Sequence, residues 1–338
     1  SRMNLAVVIR ATAGLCEVVK RHATGTPTLV VGCDARYGSS EFAAAACRVA
    51  SAAGVRVLAL PQANPTPLTA FSMLHFDADA GVMVTASHNP APDNGYKVYL
   101  GGTVAQGDGR GVQIVPPFDA EIAAAIEAAP PADEVPMNDD LVEAVDPREE
   151  YVACASALAS GEASAREDLR IVLTAMHGVG AAITSRVLAE AGFSNVSLVE
   201  AQAQPDPDFP TVPFPNPEEA GALDMAIEQA REQGADLIIA VDPDADRCAL
   251  AVPDPSSETG WSPLSGDQTG SLLGEFLASR GMRGSLANSI VSSRLLSRIA
   301  HAHGLEHHTT LTGFKWIARA PGLGFGYEEA IGFCPDPA

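Results

Sequence analysis

A chain of 338 residues exceeds the usual domain of about 150 and predicts two or three domains, each able to bury its own core. With 46% hydrophobic and 19% charged residues it has the composition of a folded globular protein, which excludes predominant disorder. Asp and Glu total 42 against 21 Lys and Arg, and a net charge of −21 has the wrong sign for a partner built on nucleic-acid phosphates or an anionic membrane. No run approaches the roughly 20 apolar residues of a membrane span, Leu237-Ile-Ile-Ala-Val241 being typical. The opening Ser1-Arg2-Met3-Asn4 does not lead into a secretory cleavage site, and the six scattered cysteines form no C-x-x-C pair. The expectation is a cytoplasmic protein with reduced, mostly buried thiols.

In chain order, a helix is predicted over residues 5–21, followed by a β-branched strand, Thr28-Leu-Val-Val-Gly32. A helix over 40–53, a strand over 55–60, a short helix after Pro67 and a strand Gly81-Val-Met-Val-Thr85 continue the alternation of an α/β sheet. In such sheets chemistry gathers where strands end. From 128 to 148 the composition turns to Pro, Asp and Glu without an apolar period, and a domain boundary is placed there. A second α/β run follows: strand 170–174, helix 180–191, strand 196–199, helix 217–233 and strand 237–241, interrupted by a Pro-rich loop at 205–215. After the turn-rich 253–259 come a helix over 267–280, a strand Ser289-Ile-Val291, a helix over 293–303 and a Gly-rich end from Gly322. Three consecutive α/β domains are expected, at residues 1–147, 148–256 and 257–338, the last incomplete because no helix follows Gly326-Tyr-Glu-Glu-Ala-Ile-Gly332.

Two strand ends carry reactive groups. Thr85-Ala-Ser-His-Asn-Pro90 reads either as a plain Ser/Asn/Pro turn or as a loop exposing Ser87 beside His88 and Lys97, which can handle protons or anionic oxygens. The Gly-x-Ser-x-Gly frame of a hydrolase elbow is absent. Asp242-Pro-Asp-Ala-Asp-Arg247 places three carboxylates at alternate positions after an apolar strand, roughly 6.6 Å apart in extended chain, so a modest turn lets Asp242, Asp244 and Asp246 converge on a hard cation. Arg247 and Pro253 at the positions of the turn Gly and the bidentate Glu exclude an EF-hand, and so few protein ligands suit Mg²⁺ completed by waters and a phosphate oxygen. The adjacent Glu328 and Glu329 suit hydroxyl recognition, and Thr312-Gly-Phe-Lys-Trp316 either meets a phosphosugar or closes a helix end. His301, His303, His307 and His308 lack a Cys or acid at ligand spacing and read as a solvated helix end.

Together these segments resemble the α-D-phosphohexomutase superfamily of phosphoglucomutases and phosphomannomutases, including its phosphopentomutase-like branch, across nearly the whole chain. The resemblance implies mixed sheets flanked by helices around an active-site cleft, with a phosphoserine-bearing, a metal-binding and a sugar-binding domain in turn. It implies phosphoserine at Ser87, with His88 and Lys97 as acid/base and phosphate contacts, and Mg²⁺ on Ser87, Asp242, Asp244 and Asp246. Arg247, Thr312, Gly313, Lys315 and Glu328 inherit substrate contacts, and Val31-Gly-Cys-Asp-Ala-Arg36 and Leu173-Thr-Ala-Met-His-Gly-Val-Gly180 are weaker correspondences. The implied activity interconverts glucose or mannose 1- and 6-phosphates through a sugar bisphosphate. Alternatives are a phosphopentomutase, a Mg²⁺-dependent phosphatase with Asp242 as nucleophile, and an inactive sugar-phosphate-binding fragment. Three departures stand out: the family's N-terminal arginine segment has only a decoy, with Cys16 at the arginine position; the fourth, phosphate-gripping domain is expected to be missing; and Ala330 replaces the recognition-loop serine.

Overall fold

The computed structural model describes residues 3–61 and 63–335. Its first sheet is built from β1 (Thr28–Cys33), β2 (Arg56–Ala59), β3 (Ala80–Val84), β4 (Tyr96–Leu100), β5 (Val112–Gln113) and β6 (Val142–Ala144), in the order β5-β4-β3-β1-β2-β6. Strands β3, β1, β2 and β6 are parallel, while β4 and β5 continue antiparallel. Side chains alternate across β1, so Leu29 and Val31 join one core and Val30 the other. The first core is covered by α1 (Leu5–His22), α2 (Ser39–Ala52) and α4 (Phe118–Ala128); the second lies under α3 (Thr66–His75) and α5 (Arg148–Ser156). Asn4 starts α1 by accepting the Val7 N–H at 3.0 Å, and Lys20, Arg21 and His22 fill its last turn, where the helix dipole favours cations.

After α6 (Ala163–Asp168), the second sheet comprises β7 (Ile171–Thr174), β8 (Val196–Leu198), β9 (Leu237–Val241), β10 (Cys248–Pro253) and β11 (Trp261–Pro263), ordered β11-β10-β9-β7-β8. Helices α7 (Gly180–Glu190) and α8 (Asp224–Gln233) flank it. The third sheet, ordered β13-β12-β14-β15, uses β12 (Ser285–Ser289), β13 (His307–Thr310), β14 (Leu323–Glu328) and β15 (Gly332–Cys334), with α9 (Gly266–Ser279), α10 (Leu295–His303) and α11 (Phe314–Ile317). Ile183 of α7 joins the core beneath α3 through Val152, and Ile331 beyond β14 is buried in the core of the second sheet, so the cores interlock. No helix among the described residues is long and apolar enough to cross a membrane.

Several expectations shift. The strand placed at 289–291 is β12, and Ile290 and Val291 are 67% and 63% exposed just beyond it. β12 carries the unpromising Ser-Leu-Ala-Asn-Ser, fully buried because β13 and β14 pair on both sides. The stretch 128–148, read as coreless, contributes β6 as an edge to β2. The helix expected from 217 begins at Asp224, after a turn in which Asn216 accepts the Glu218 N–H. β11 lies beyond residue 256, yet it pairs with β10 of the second sheet.

Candidate active site

Ser87, Asp242 and Glu328 all lie at the carboxyl ends of central strands: β3, β9 and β14. The Ser87 loop turns sharply, with Ser87 at φ +52° and its N–H donating to Thr85 Oγ1 at 2.9 Å. Arg36 holds it from behind, its guanidinium donating to the carbonyls of Ser87 (2.5 Å), Asn89 (2.6 Å), Pro90 (3.0 Å) and Asp93 (3.2 Å). Asp34 faces the same guanidinium at 3.3 Å, both side chains being buried.

On the acidic loop, Ala245 at φ +54° allows the turn that folds the alternate carboxylates together. Asp242 Oδ1 accepts the Arg247 N–H at 3.1 Å, and its Oδ2 accepts the Ser87 hydroxyl at 2.8 Å. Asp244 Oδ2 accepts the Thr66 hydroxyl at 2.6 Å and Lys97 Nζ at 2.7 Å, while Asp246 Oδ2 accepts Lys97 Nζ at 2.6 Å. One ligand oxygen from each aspartate lies within 4.8 Å of the others. Asp244 Oδ1 and Asp246 Oδ1 are buried with no hydrogen-bond partner. Such an all-oxygen donor set with unspent lone pairs fits a hard divalent cation.

The electrostatics point the same way. Burial opposes ionisation of all three acids; for Asp244, Lys97 and the hydroxyl of Thr66 outweigh it and hold the carboxyl at about 2. Asp242 and Asp246 are instead raised, by burial and by the neighbouring carboxylates, because one ammonium cannot neutralise three acids. Lys97 pays for burial as a cation but is driven well above its ordinary value by Asp244 and Asp246. His88 places Nδ1 at 3.3 Å from Ser87 Oγ, and burial, then Arg247, lower its pKa to about 4, leaving a neutral ring at pH 7.

Arg247 ties the acidic loop to the third sheet, donating to the Ala330 carbonyl at 3.1 Å and facing Glu328 Oε1 at 3.5 Å. Burial raises the Glu328 carboxyl, whereas Glu329 is drawn aside by the hydroxyls of Ser289 and Ser292 at 2.6 and 2.9 Å. Thr312, Gly313 and Lys315 sit at the start of α11. Among the described residues no hydrogen bond or ion pair joins them to Ser87 or the aspartates. Their neighbour Phe314 lies on the Glu328 side: a methyl group on Gly332 would come within 2.6 Å of the Phe314 ring and 3.1 Å of Glu328 Cγ.

Arg36 was only a weak correspondence in the sequence, and Thr66 and Phe209 carried no functional signal beyond a proline-flanked helix start and a Pro-rich loop. Gly178 explains the other weak segment: a Cβ there would lie 2.3 Å from the Pro243 backbone, so only glycine lets this turn abut the acidic loop. Cys16 is buried in the first core within α1, as expected of a decoy. His307 and His308 belong to β13 and not to the end of α10; His307 bonds Asn288 and His303 bonds Glu275, each at 3.0 Å.

Profiles of the phosphoglucomutase/phosphomannomutase alpha/beta/alpha domains I, II and III match residues 1–132, 149–256 and 265–336. A probable phosphomannomutase of Haemophilus influenzae is 46% identical over 99% of this chain and 68% of its own length. The chain belongs to the phosphoglucomutase/phosphomannomutase family. A phosphoribomutase of Saccharomyces cerevisiae is 37% identical over 98% of the chain, which spans only 59% of that relative. A crystal structure of a protein from Thermus thermophilus, assigned provisionally as a phosphomannomutase, superposes with a TM-score of 0.81 at 26% identity, covering 99% of this chain and 72% of that one. The family's three alpha/beta/alpha domains account for the three sheets, β6 and β11 falling between the matched segments.

Proposed function

We propose that the chain carries the phosphoryl-transfer centre of a mutase that interconverts sugar 1- and 6-phosphates, of glucose or mannose, through phosphoserine at Ser87 and a bisphosphorylated sugar. The observation that carries this reading is the 2.8 Å hydrogen bond from Ser87 Oγ to Asp242, which sets a first-sheet nucleophile against a second-sheet acid triad. Asp242, Asp244 and Asp246, with an oxygen on Ser87, would hold Mg²⁺, which when bound supplies charge to offset the carboxylates and polarise the phosphoryl group. A sugar hydroxyl attacks phosphorus on Ser87, the bond to Ser87 Oγ breaks, and the bisphosphate turns over to return its other phosphate. Neutral His88, 3.3 Å from Ser87 Oγ, is suited to carry the proton exchanged at that oxygen. Lys97, kept cationic, suits the phosphate contact rather than the base. Glu328, turned toward Arg247, would accept sugar hydroxyls.

Asp242 as a phosphatase nucleophile is disfavoured, since it is fully buried with both oxygens hydrogen-bonded. A pentose phosphate is the second reading, favoured by the 37% identity to the yeast phosphoribomutase and by Ala330 in place of the serine. Mass spectrometry of the complete polypeptide should find phosphate on Ser87, and Ser87→Ala should abolish isomer interconversion; retained full activity defeats the proposal. Glucose, mannose and ribose 1-phosphates compared side by side separate the two substrate readings.

A further inference from the structure

We infer that Arg36 is the positioning residue of the Ser87 loop, locked from the second unit by Phe209. This rests on the phosphoserine reading and adds a device that sets the loop's geometry. A single buried guanidinium gathers four loop carbonyls, between Ser87 and Asp93. Those carbonyls carry partial negative charge. Turned inward onto Arg36, they are removed from the side on which a phosphate dianion would sit. The loop needs such a restraint because Ser87 occupies the left-handed region at φ +52°, where a non-glycine residue relaxes unless the surroundings over-determine it.

Arg36 is itself fixed. Asp34 faces its Nε at 3.3 Å, and the Asp34 carboxylate is oriented by the Ser39 hydroxyl at 2.5 Å and the Arg36 N–H at 3.0 Å. From the Pro-rich loop that precedes α8, the Phe209 ring covers the guanidinium with its centroid 5.0 Å from Cζ, and Phe209 is 4% exposed. Lysine cannot replace this arrangement, because a point-like ammonium lacks the planar fork that reaches four acceptors. Arg36 touches neither phosphate nor sugar in this scheme; it acts through the loop.

The test uses Arg36→Lys and Phe209→Leu in the otherwise native chain, with two readouts. The first is amide hydrogen exchange over residues 86–94, which does not depend on the chemistry. It should accelerate at least about tenfold in Arg36→Lys and less in Phe209→Leu, while strand amides of β1 and β3 stay protected. The second is phosphorylation of Ser87 by glucose 1,6-bisphosphate with Mg²⁺, followed by intact mass; the Ser87 Oγ–P bond forms, a sugar O–P bond breaks, and the serine proton passes to the sugar oxygen. Its maximal rate should fall about 10²-fold in Arg36→Lys with little change in the half-saturating bisphosphate concentration. Unchanged exchange over 86–94 in both variants overturns the inference, as does exchange that rises throughout the first sheet. A wild-type chain that takes no phosphate on Ser87 defeats the functional reading alone, because the exchange result still decides the role of Arg36.

Discussion

Burial sets the chemistry of single side chains here as much as charge does. Burial pushes the thiols of Cys16 and Cys47 up to about 12, whereas Cys154 on α5 is exposed. A thiol reagent at pH 8 should therefore label Cys154 rapidly and Cys16 and Cys47 only on unfolding, and Cys154→Ala should diminish the fast phase; rapid labelling of Cys16 or Cys47 would contradict the buried placement. At the surface, Asp236 is held at about 2 by hydrogen bonds from the side chain and backbone of Arg170. Its unfolded value is near 3.9, so between about 4 and 2 the unfolded chain binds more protons. Its contribution is present above that window and lost as pH falls through it, and Asp236→Asn should flatten the stability profile there. Ser87 and the three aspartates were legible in the sequence because each set lies in one contiguous motif after an apolar strand. Thr66 was not, since its partner Asp244 is 178 residues away.

Elements were read well where helix and strand periodicities were strong and badly where pairing alone makes a strand. Ile290 and Val291 look like strand residues, but the buried strand is the preceding Ser285–Ser289. Leu286→Ala should cost about 2–5 kcal/mol in chemical denaturation, and Ile290→Thr no more than about 0.5 kcal/mol. Comparable losses at the two positions would return the strand to the later register. The turn before α7 offers a second test. Gly178→Ala must displace the Pro243 backbone, which joins Asp242 to Asp244, so divalent-cation affinity measured by calorimetry should fall although Ser87 and all three aspartates are retained in the sequence.

For the whole molecule, three sheets deliver their functional groups from strand ends, and hydrogen bonds join the first two units at the site: Ser87 to Asp242, Thr66 to Asp244, and Lys97 to Asp244 and Asp246. A cation bound there stabilises the folded state by mass action, about 2.7 kcal/mol at 100 times its dissociation constant. MgCl₂ should raise the melting temperature beyond NaCl of equal ionic strength, which controls for relief of repulsion in a chain of net charge −21. The added increment should vanish on chelation and in Asp244→Asn; an equal rise with NaCl would remove support for the metal site. By itself, the sequence determined the α/β alternation, the two reactive loops and the surplus of acid over base, because each is written in neighbouring residues. Only the tertiary structure decided that Arg36 gathers the Ser87 loop, that Thr66 anchors Asp244, and that Glu328 rather than Glu329 turns toward Arg247, because those choices depend on which distant backbones meet and which polar atoms burial leaves to be satisfied.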